Sequence, residues 1–163
     1  MFTIQKLSDS QAFIEQVIQA IATIETQVQS QDAWACKTLV ELFEQDSIDM
    51  IVVYDELQEK KTDYKKVVGY CLYQVMFEQA EILRIGTRPE YQRQGIASQI
   101  FDKLNTELIN KNVATLLLEV RADNAPAIAL YEQQGFSMIH KRQGYYRIPK
   151  QPAIDALIMQ RLL

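Results

Sequence analysis

Cysteine is scarce in this chain, with only Cys36 and Cys71 among 163 residues. They are too few and too far apart for a zinc cluster or a disulfide framework. Such sparse use fits a reducing cytoplasm. Glycine (5) and proline (4) are also few, which excludes a collagen-like or low-complexity chain. Histidine occurs once, as His140, with no serine or cysteine beside it to suggest a triad, so it reads as a strand residue. Metal ligands at a recognised spacing are missing, so no metal is expected. Basic charge is in deficit: 17 Lys and Arg against 21 Asp and Glu give a net charge of −4. A general nucleic-acid binder would carry a basic surface instead. No apolar run approaches the ~18 residues of a membrane span. The start, Met1-Phe2-Thr3-Ile4-Gln5-Lys6, lacks the basic-then-apolar order of a signal peptide. The expectation is a cytoplasmic protein with neither a membrane nor a nucleic-acid partner, a monomer being favoured.

What is present is a hydrophobic fraction of 48% and a charged fraction of 23%, the balance of a globular chain. The length fits one domain over residues 1–163. Residues 3–7 read as a strand. Ser8 with Gln11 reads as a capping box opening a helix, followed by Phe13, Ile14, Val17, Ile18, Ile21 and Ile24 at helical spacing. A second short helix holds Thr38, Leu39, Leu42 and Phe43. Met50 to Tyr54 is an apolar strand. The charge-rich stretch from Glu56 to Lys66, with Lys60-Lys61 and Lys65-Lys66, reads as a solvated hairpin loop. Strands follow over Val67 to Phe77 and Ala80 to Thr87, then a helix from Gly95 to about Lys111. Val113 to Val120 is a further apolar strand. Asn124 caps a helix with Pro126 in its first turn, and Gly135 ends it. Strands over Phe136 to Lys141 and Ile154 to Leu162 complete the chain. Hairpin strands followed by strand–helix alternation predict an α/β (α+β) domain, a mixed sheet with helices on both faces.

The most informative stretch lies between a strand and a helix: Arg88-Pro89-Glu90-Tyr91-Gln92-Arg93-Gln94-Gly95-Ile96-Ala97-Ser98. A turn at Gly95, with small Ala97 beside it, lets successive backbone N–H groups face one concavity at the positive end of a helix. That is an anion site made mainly of main-chain dipoles, which an acidic protein can hold locally. Arg93 adds a charged contact. A plain strand-to-helix bend explains the same glycine. Neither a P-loop nor a three-glycine dinucleotide fingerprint is present.

Gln92-Arg93-Gln94-Gly95-Ile96-Ala97 resembles the Gln/Arg-x-x-Gly-x-Gly/Ala signature of the GNAT acetyltransferase superfamily. The run from Leu118 to Phe136, the pair Tyr145-Tyr146 and Asp155-Ala156-Leu157-Ile158-Met159 are similar to the RimI family, the ribosomal-protein-alanine N-acetyltransferases. The likeness spans residues 84–159. It is weak before that, where Ala33-Trp34-Ala35 stands in place of the family's Pro-Trp-Ser. The resemblance implies a twisted, mostly antiparallel sheet of about seven strands with a splayed parallel pair at its centre. It implies acetyl-CoA as co-substrate, its pyrophosphate held by Gln92, Arg93, Gln94, Gly95, Ile96, Ala97 and Ser98. Ile85, Gly86 and Thr87 then pair with the pantetheine arm, and Asn124 contacts the cofactor besides capping its helix. Trp34, Tyr145 and Tyr146 are implied at the acceptor site.

An α-ammonium of pKa ~7.7–8.0 must lose a proton before it attacks a thioester. Glu119, at the C-terminal end of an apolar strand, suits a general base raised in pKa by a partly apolar site. Read alone, it is equally a surface carboxylate paired with Arg121. The departing thiolate needs a donor, and a phenol of pKa ~10 provides one. Tyr131 reads alone as a core tyrosine beside Leu130; the resemblance makes it the general acid. Tyr145 and Tyr146 close over a peptide end or simply belong to a hairpin. Cys71 reads as a small buried hydrophobe and Cys36 is no better as a nucleophile, which favours direct transfer in a ternary complex. The resemblance implies a protein N-terminus as acceptor, the alanine of small-subunit ribosomal protein eighteen. A small amine such as a polyamine, or a non-catalytic CoA-binding module, are the rival readings.

Overall fold

The computed structural model describes residues 1–29, 31–56 and 65–163. Along the chain run β1 (Phe2–Lys6), α1 (Gln11–Val28), α2 (Cys36–Phe43), β2 (Ile48–Asp55), β3 (Lys66–Met76) and β4 (Gln79–Thr87). They are followed by α3 (Ile96–Asn110), β5 (Thr115–Arg121), α4 (Ala125–Gln133), β6 (Ser137–Tyr146) and β7 (Ile154–Leu162). The strands form one seven-stranded sheet in the order β1-β2-β3-β4-β5-β7-β6. Every pairing is antiparallel except β4 with β5. The expected mixed sheet is therefore present, with its parallel pair at the centre. Lys60 and Lys61 lie outside the described residues; Lys65 pairs with Glu56 at 3.7 Å.

The apolar run of β2 follows from burial on both faces. Ile51 and Val53 face one core together with Cys71, Tyr73 and the α3 residues Ile96, Ile100, Phe101 and Leu104. Met50, Val52 and Tyr54 face the other, against Val17, Ile18, Ile21 and Ile24 of α1 and Leu39 of α2. Successive strand residues point to opposite faces, so one continuous run serves two cores. Each large apolar side chain so buried contributes about 1.5–3 kcal/mol.

Two elements depart from the sequence reading. Helix α1 starts at Gln11 with Ser10 as its N-cap, and no side-chain cap bond forms. Ser8 and Gln11 make no capping box, because the chain is still held to the sheet one residue earlier: Leu7 is buried and its N–H donates to the Met50 carbonyl at 2.7 Å. Strand β6 runs on to Tyr146 rather than stopping at Lys141.

The centre of the sheet opens where the site is. Parallel pairing runs from Gln79 with Thr115 to Ile82 with Leu118 and then stops. Across β3, Tyr73 faces Ile82 while Leu72 faces Arg84, so Leu83 is an extra residue in β4. Such a bulge bends its strand and raises the local twist. Beyond it β4 follows β3 and β5 follows β7. The two strands part, leaving main-chain groups of Ile85 to Thr87 without strand partners on the β5 side.

Candidate active site

On the α3–α4 side of the opening lies a cleft of about 560 Å³. Ile85, Gly86 and Thr87 of β4 form one wall, and Asn124, Pro126, Ala127, Leu130 and Tyr131 of β5–α4 form the other. Gln92, Arg93, Gly95, Ile96, Ala97 and Ser98 close its end. Gly95 is the N-cap of α3, with φ +79°, a left-handed conformation that glycine adopts at little cost. Arg93 also has φ +59°, so two left-handed residues shape this loop. The first-turn N–H groups of α3 have no partners within the helix and stand at its positive end. Gln92 braces the loop by donating from Nε2 to the Thr87 carbonyl at 3.2 Å. Gln94 differs from its neighbours. It does not line the cleft, and its Nε2 donates to the Glu90 carbonyl at 3.2 Å.

On the opposite side lies a second cleft of about 630 Å³. Trp34, Tyr145 and Tyr146 are all in its wall, with Glu119 and Asp32, Glu81, Arg84, His140 and Arg142. A narrow passage of about 60 Å³ lies between them at the splay, sharing Gln29, Ile85, Asn124 and Tyr131 with the first cleft and Asp32, Arg84, Glu119 and Tyr146 with the second, so both Glu119 and Tyr131 line it. The structure therefore brings together the carboxylate and the phenol that the sequence singles out.

Their surroundings differ. Glu119 is partly exposed; it accepts a hydrogen bond from the Tyr146 hydroxyl at 3.2 Å and pairs with Arg142 at 3.4 Å. It does not pair with Arg121, which binds Asp123 at 2.8 Å instead. Burial first, then the Glu119 charge, push the Tyr146 phenol up to about 12. The same two causes raise the Glu81 carboxyl above its ordinary range. Tyr131 is buried, packed edge-on against Phe101 and Phe136 at 6.2 and 6.0 Å. Burial raises its phenol, and its hydroxyl forms no hydrogen bond among the described residues. Tyr131 is thus core and site wall at once. Asn124 also has both its readings: Oδ1 accepts from the Ala127 N–H at 3.3 Å, and the residue lines the cleft and the passage.

Cys71 is buried and its thiol pushed up by burial; Cys36 is half-buried. Among the described residues no group of three or more His, Cys, Asp or Glu is arranged to hold a metal. No helix among them is long and apolar enough to cross a membrane. Arg142, Arg84, Asp32, Glu81 and Gln29 line the site without having been singled out. Arg142 meets Glu119 and Arg84 meets Asp32, partners far along the chain, so no local spacing marks these pairs.

A model of the Acetyltransferase (GNAT) family matches residues 15–136. The [ribosomal protein bS18]-alanine N-acetyltransferase of Escherichia coli K12 is 44% identical over 85 residues, 52% of this chain and 57% of that protein. The Salmonella typhimurium protein of the same name is 39% identical over 103 residues, 63% of this chain and 69% of that one. The matched stretch thus spans little more than half the length of the first of these relatives. The crystal structure of the ribosomal-protein-S18-alanine N-acetyltransferase from E. coli superposes with a TM-score of 0.82 at 31% identity, covering 99% of this chain and 94% of that one. Arabidopsis thaliana NAA60 in complex with acetyl-CoA shares the fold, with a TM-score of 0.80 at 14% identity over 100% of this chain and 99% of that one. By family match and by full-length structural likeness, the chain belongs to the GNAT acetyltransferase family.

Proposed function

We propose that the protein transfers the acetyl group of acetyl-CoA to the N-terminal α-amine of a protein, the alanine of ribosomal protein bS18, by direct transfer in a ternary complex. One observation carries this reading: two clefts each share wall residues with a passage lined by both Glu119 and Tyr131. Two substrates entering from opposite sides would meet there without a covalent enzyme intermediate.

Acetyl-CoA supplies the acetyl group as an activated thioester. Main-chain N–H groups at the start of α3, with Arg93, suit its pyrophosphate. The parted edge of β4 at Ile85, Gly86 and Thr87 suits an extended amide-bearing arm. Glu119 takes a proton from the α-ammonium, directly or through water, and the freed amine attacks the thioester carbonyl. As the carbon–sulfur bond breaks, Tyr131 gives a hydrogen bond or its proton to the departing sulfur. The raised phenol keeps that proton until then. Trp34, Tyr145 and Tyr146 flank the arriving peptide end. The cleft beside Glu119 is partly open to solvent, which supports a peptide end over a small amine enclosed on all sides.

The names of the bS18-alanine relatives support alanine as the first residue. A peptide-library acetylation assay read by mass spectrometry tests it. Acetylation of free N-terminal alanine ahead of other ends, and of polyamines or amino acids hardly at all, is the expected result. Preferential turnover of a small amine would overturn the acceptor. Calorimetric CoA binding with no turnover of any amine would overturn the enzyme reading.

A further inference from the structure

Helix α1 carries a carboxylate that the proposed chemistry leaves unused. Glu25 is fully buried. A buried charge is costly unless it is paired and hydrogen-bonded. Two hydrogen-bond donors and one cation, from three parts of the chain, meet it. The Tyr70 hydroxyl of β3 donates to Oε1. The Trp34 N–H, in the loop between α1 and α2, donates to Oε2 at 2.9 Å. Nε of Arg84 in β4 lies 3.6 Å from the same oxygen. Burial first, then the Glu25 charge, hold Tyr70 in its neutral, donating form. All the partners are donors, so the group between them must only accept, as a carboxylate does.

Each partner leads into the site. The Arg84 guanidinium stacks over the Trp34 ring at 4.1 Å, and its Nη2 donates to the Asp32 carbonyl at 2.8 Å. Asp32, Trp34 and Arg84 are all wall residues of the acceptor-side cleft. The Tyr70 ring packs under Gly86 so closely that a Cβ there would lie 2.8 Å from a ring carbon. Two ties therefore run from the Glu25 side chain to the acceptor wall, whereas toward the acetyl-CoA wall that side chain has only the packing of Tyr70 under Gly86.

We propose that Glu25 is a positioning residue for the acceptor, acting through Arg84 and the Trp34 main chain to hold the Asp32–Trp34 segment against β4. An amide in its place keeps an acceptor for the Trp34 N–H and can donate to the Tyr70 oxygen, but it carries no charge to pair with Arg84, so that tie is lost. The kinetic part rests on the acetyl-transfer reading; the position of the segment does not. Trp34 is the only tryptophan of the chain, so its fluorescence reports that position directly.

The test compares Glu25→Gln and Arg84→Gln with the wild-type full chain. Tryptophan emission, acrylamide quenching, acetyl-CoA Kd by calorimetry and kinetics on an alanine-ended peptide are the readouts. With the circular dichroism spectrum retained, emission shifts to the red and quenching increases. The peptide KM rises about tenfold, as loss of a charge-assisted hydrogen bond allows. The acetyl-CoA Kd stays within about twofold, which separates a lost acceptor contact from a general loosening. Unchanged emission and quenching in a folded Glu25→Gln protein overturn the proposal. So does an acetyl-CoA Kd that moves as far as the peptide KM. If Glu25→Gln does not fold, Glu25→Asp decides the matter by the same readouts, because it keeps the charge but draws it one methylene back from the Trp34 N–H and Arg84. Wild-type protein that acetylates no amine would overturn the functional reading alone, and the fluorescence comparison would still decide the role of Glu25.

Discussion

Glu119 and Tyr131 suit different proton tasks because their surroundings differ. Glu119 lies in the wall of the second cleft, where the Tyr146 hydroxyl donates to it and Arg142 forms an ion pair with it. It is oriented as an acceptor. Tyr131 sits among Phe101 and Phe136, where charge is disfavoured, so it is kept as a donor. On the proposed assignment, Glu119→Gln and Tyr131→Phe each lower kcat by roughly tenfold or more, in keeping with lost acid–base catalysis. Tyr131→Phe keeps the ring and its edge-on contacts, so stability is largely retained. Glu119→Gln keeps an acceptor for Tyr146 and loses only the charge. In both variants the acetyl-CoA Kd, measured by calorimetry, stays near the wild-type value. Unchanged rates in both would remove these two residues from the chemistry.

At the level of elements, the loop leading into α3 is where conformation and ligand meet. Gly95 has φ +79°, yet a Cβ there would find open space, the nearest atom being Gln99 Nε2 at 3.9 Å. The cost of Gly95→Ala is therefore conformational rather than steric, about 1 kcal/mol. If the turn relaxes, the N–H groups at the start of α3 lose their common aim. The expected outcome is a small fall in thermal stability and a rise of roughly tenfold in acetyl-CoA Kd. A stability loss without any change in Kd would detach this loop from cofactor binding. The loop is legible in the sequence because its information is local: a glycine, small neighbours and a helix that follows at once. The helices and the apolar strands are legible for the same reason, through their periodicity. The bulge at Leu83 is not, because it exists only in the pairing of β3 with β4. The far half of β6 is missed because an exposed edge strand carries no alternation; only its pairing of Arg142 with Ala156 and Tyr146 with Ile154 reveals it. Arg84 escapes for a third reason. Its charge looks like the solvated face of a strand, whereas its partners Glu25 and Asp32 lie in or just beyond α1.

Across the whole molecule, the site and the stabilising charges lie at opposite ends of α3. The loop proposed to hold acetyl-CoA is at its N-terminus and Lys111 at its C-cap, about 22 Å away at 1.5 Å per residue. Lys111 and Lys6 both bind Asp49, the latter at 2.8 Å, so one carboxylate ties β1, β2 and the end of α3 together. Burial alone would raise the Asp49 carboxyl; the hydrogen bonds from Lys111 and Lys6 outweigh it and hold the group below its ordinary range. A carboxyl whose folded pKa is depressed stabilises the fold fully above its unfolded value, ~3.9, and loses that contribution as pH falls through its folded value. The lysines are about a third exposed, so the expected size is modest, about 0.5–1 kcal/mol. Urea denaturation of Asp49→Asn against wild type should show that difference at pH 7 and pH 5 and little of it by about pH 3. A difference that stays constant with pH would mean that packing, not charge, is what Asp49 contributes. Because the bridge stands a full helix away from the loop at the start of α3, the variant's acetyl-CoA Kd at pH 7 should match that of the wild type. Acid would then loosen the tie between β1, β2 and the end of α3 while the loop at the start of that helix keeps its shape.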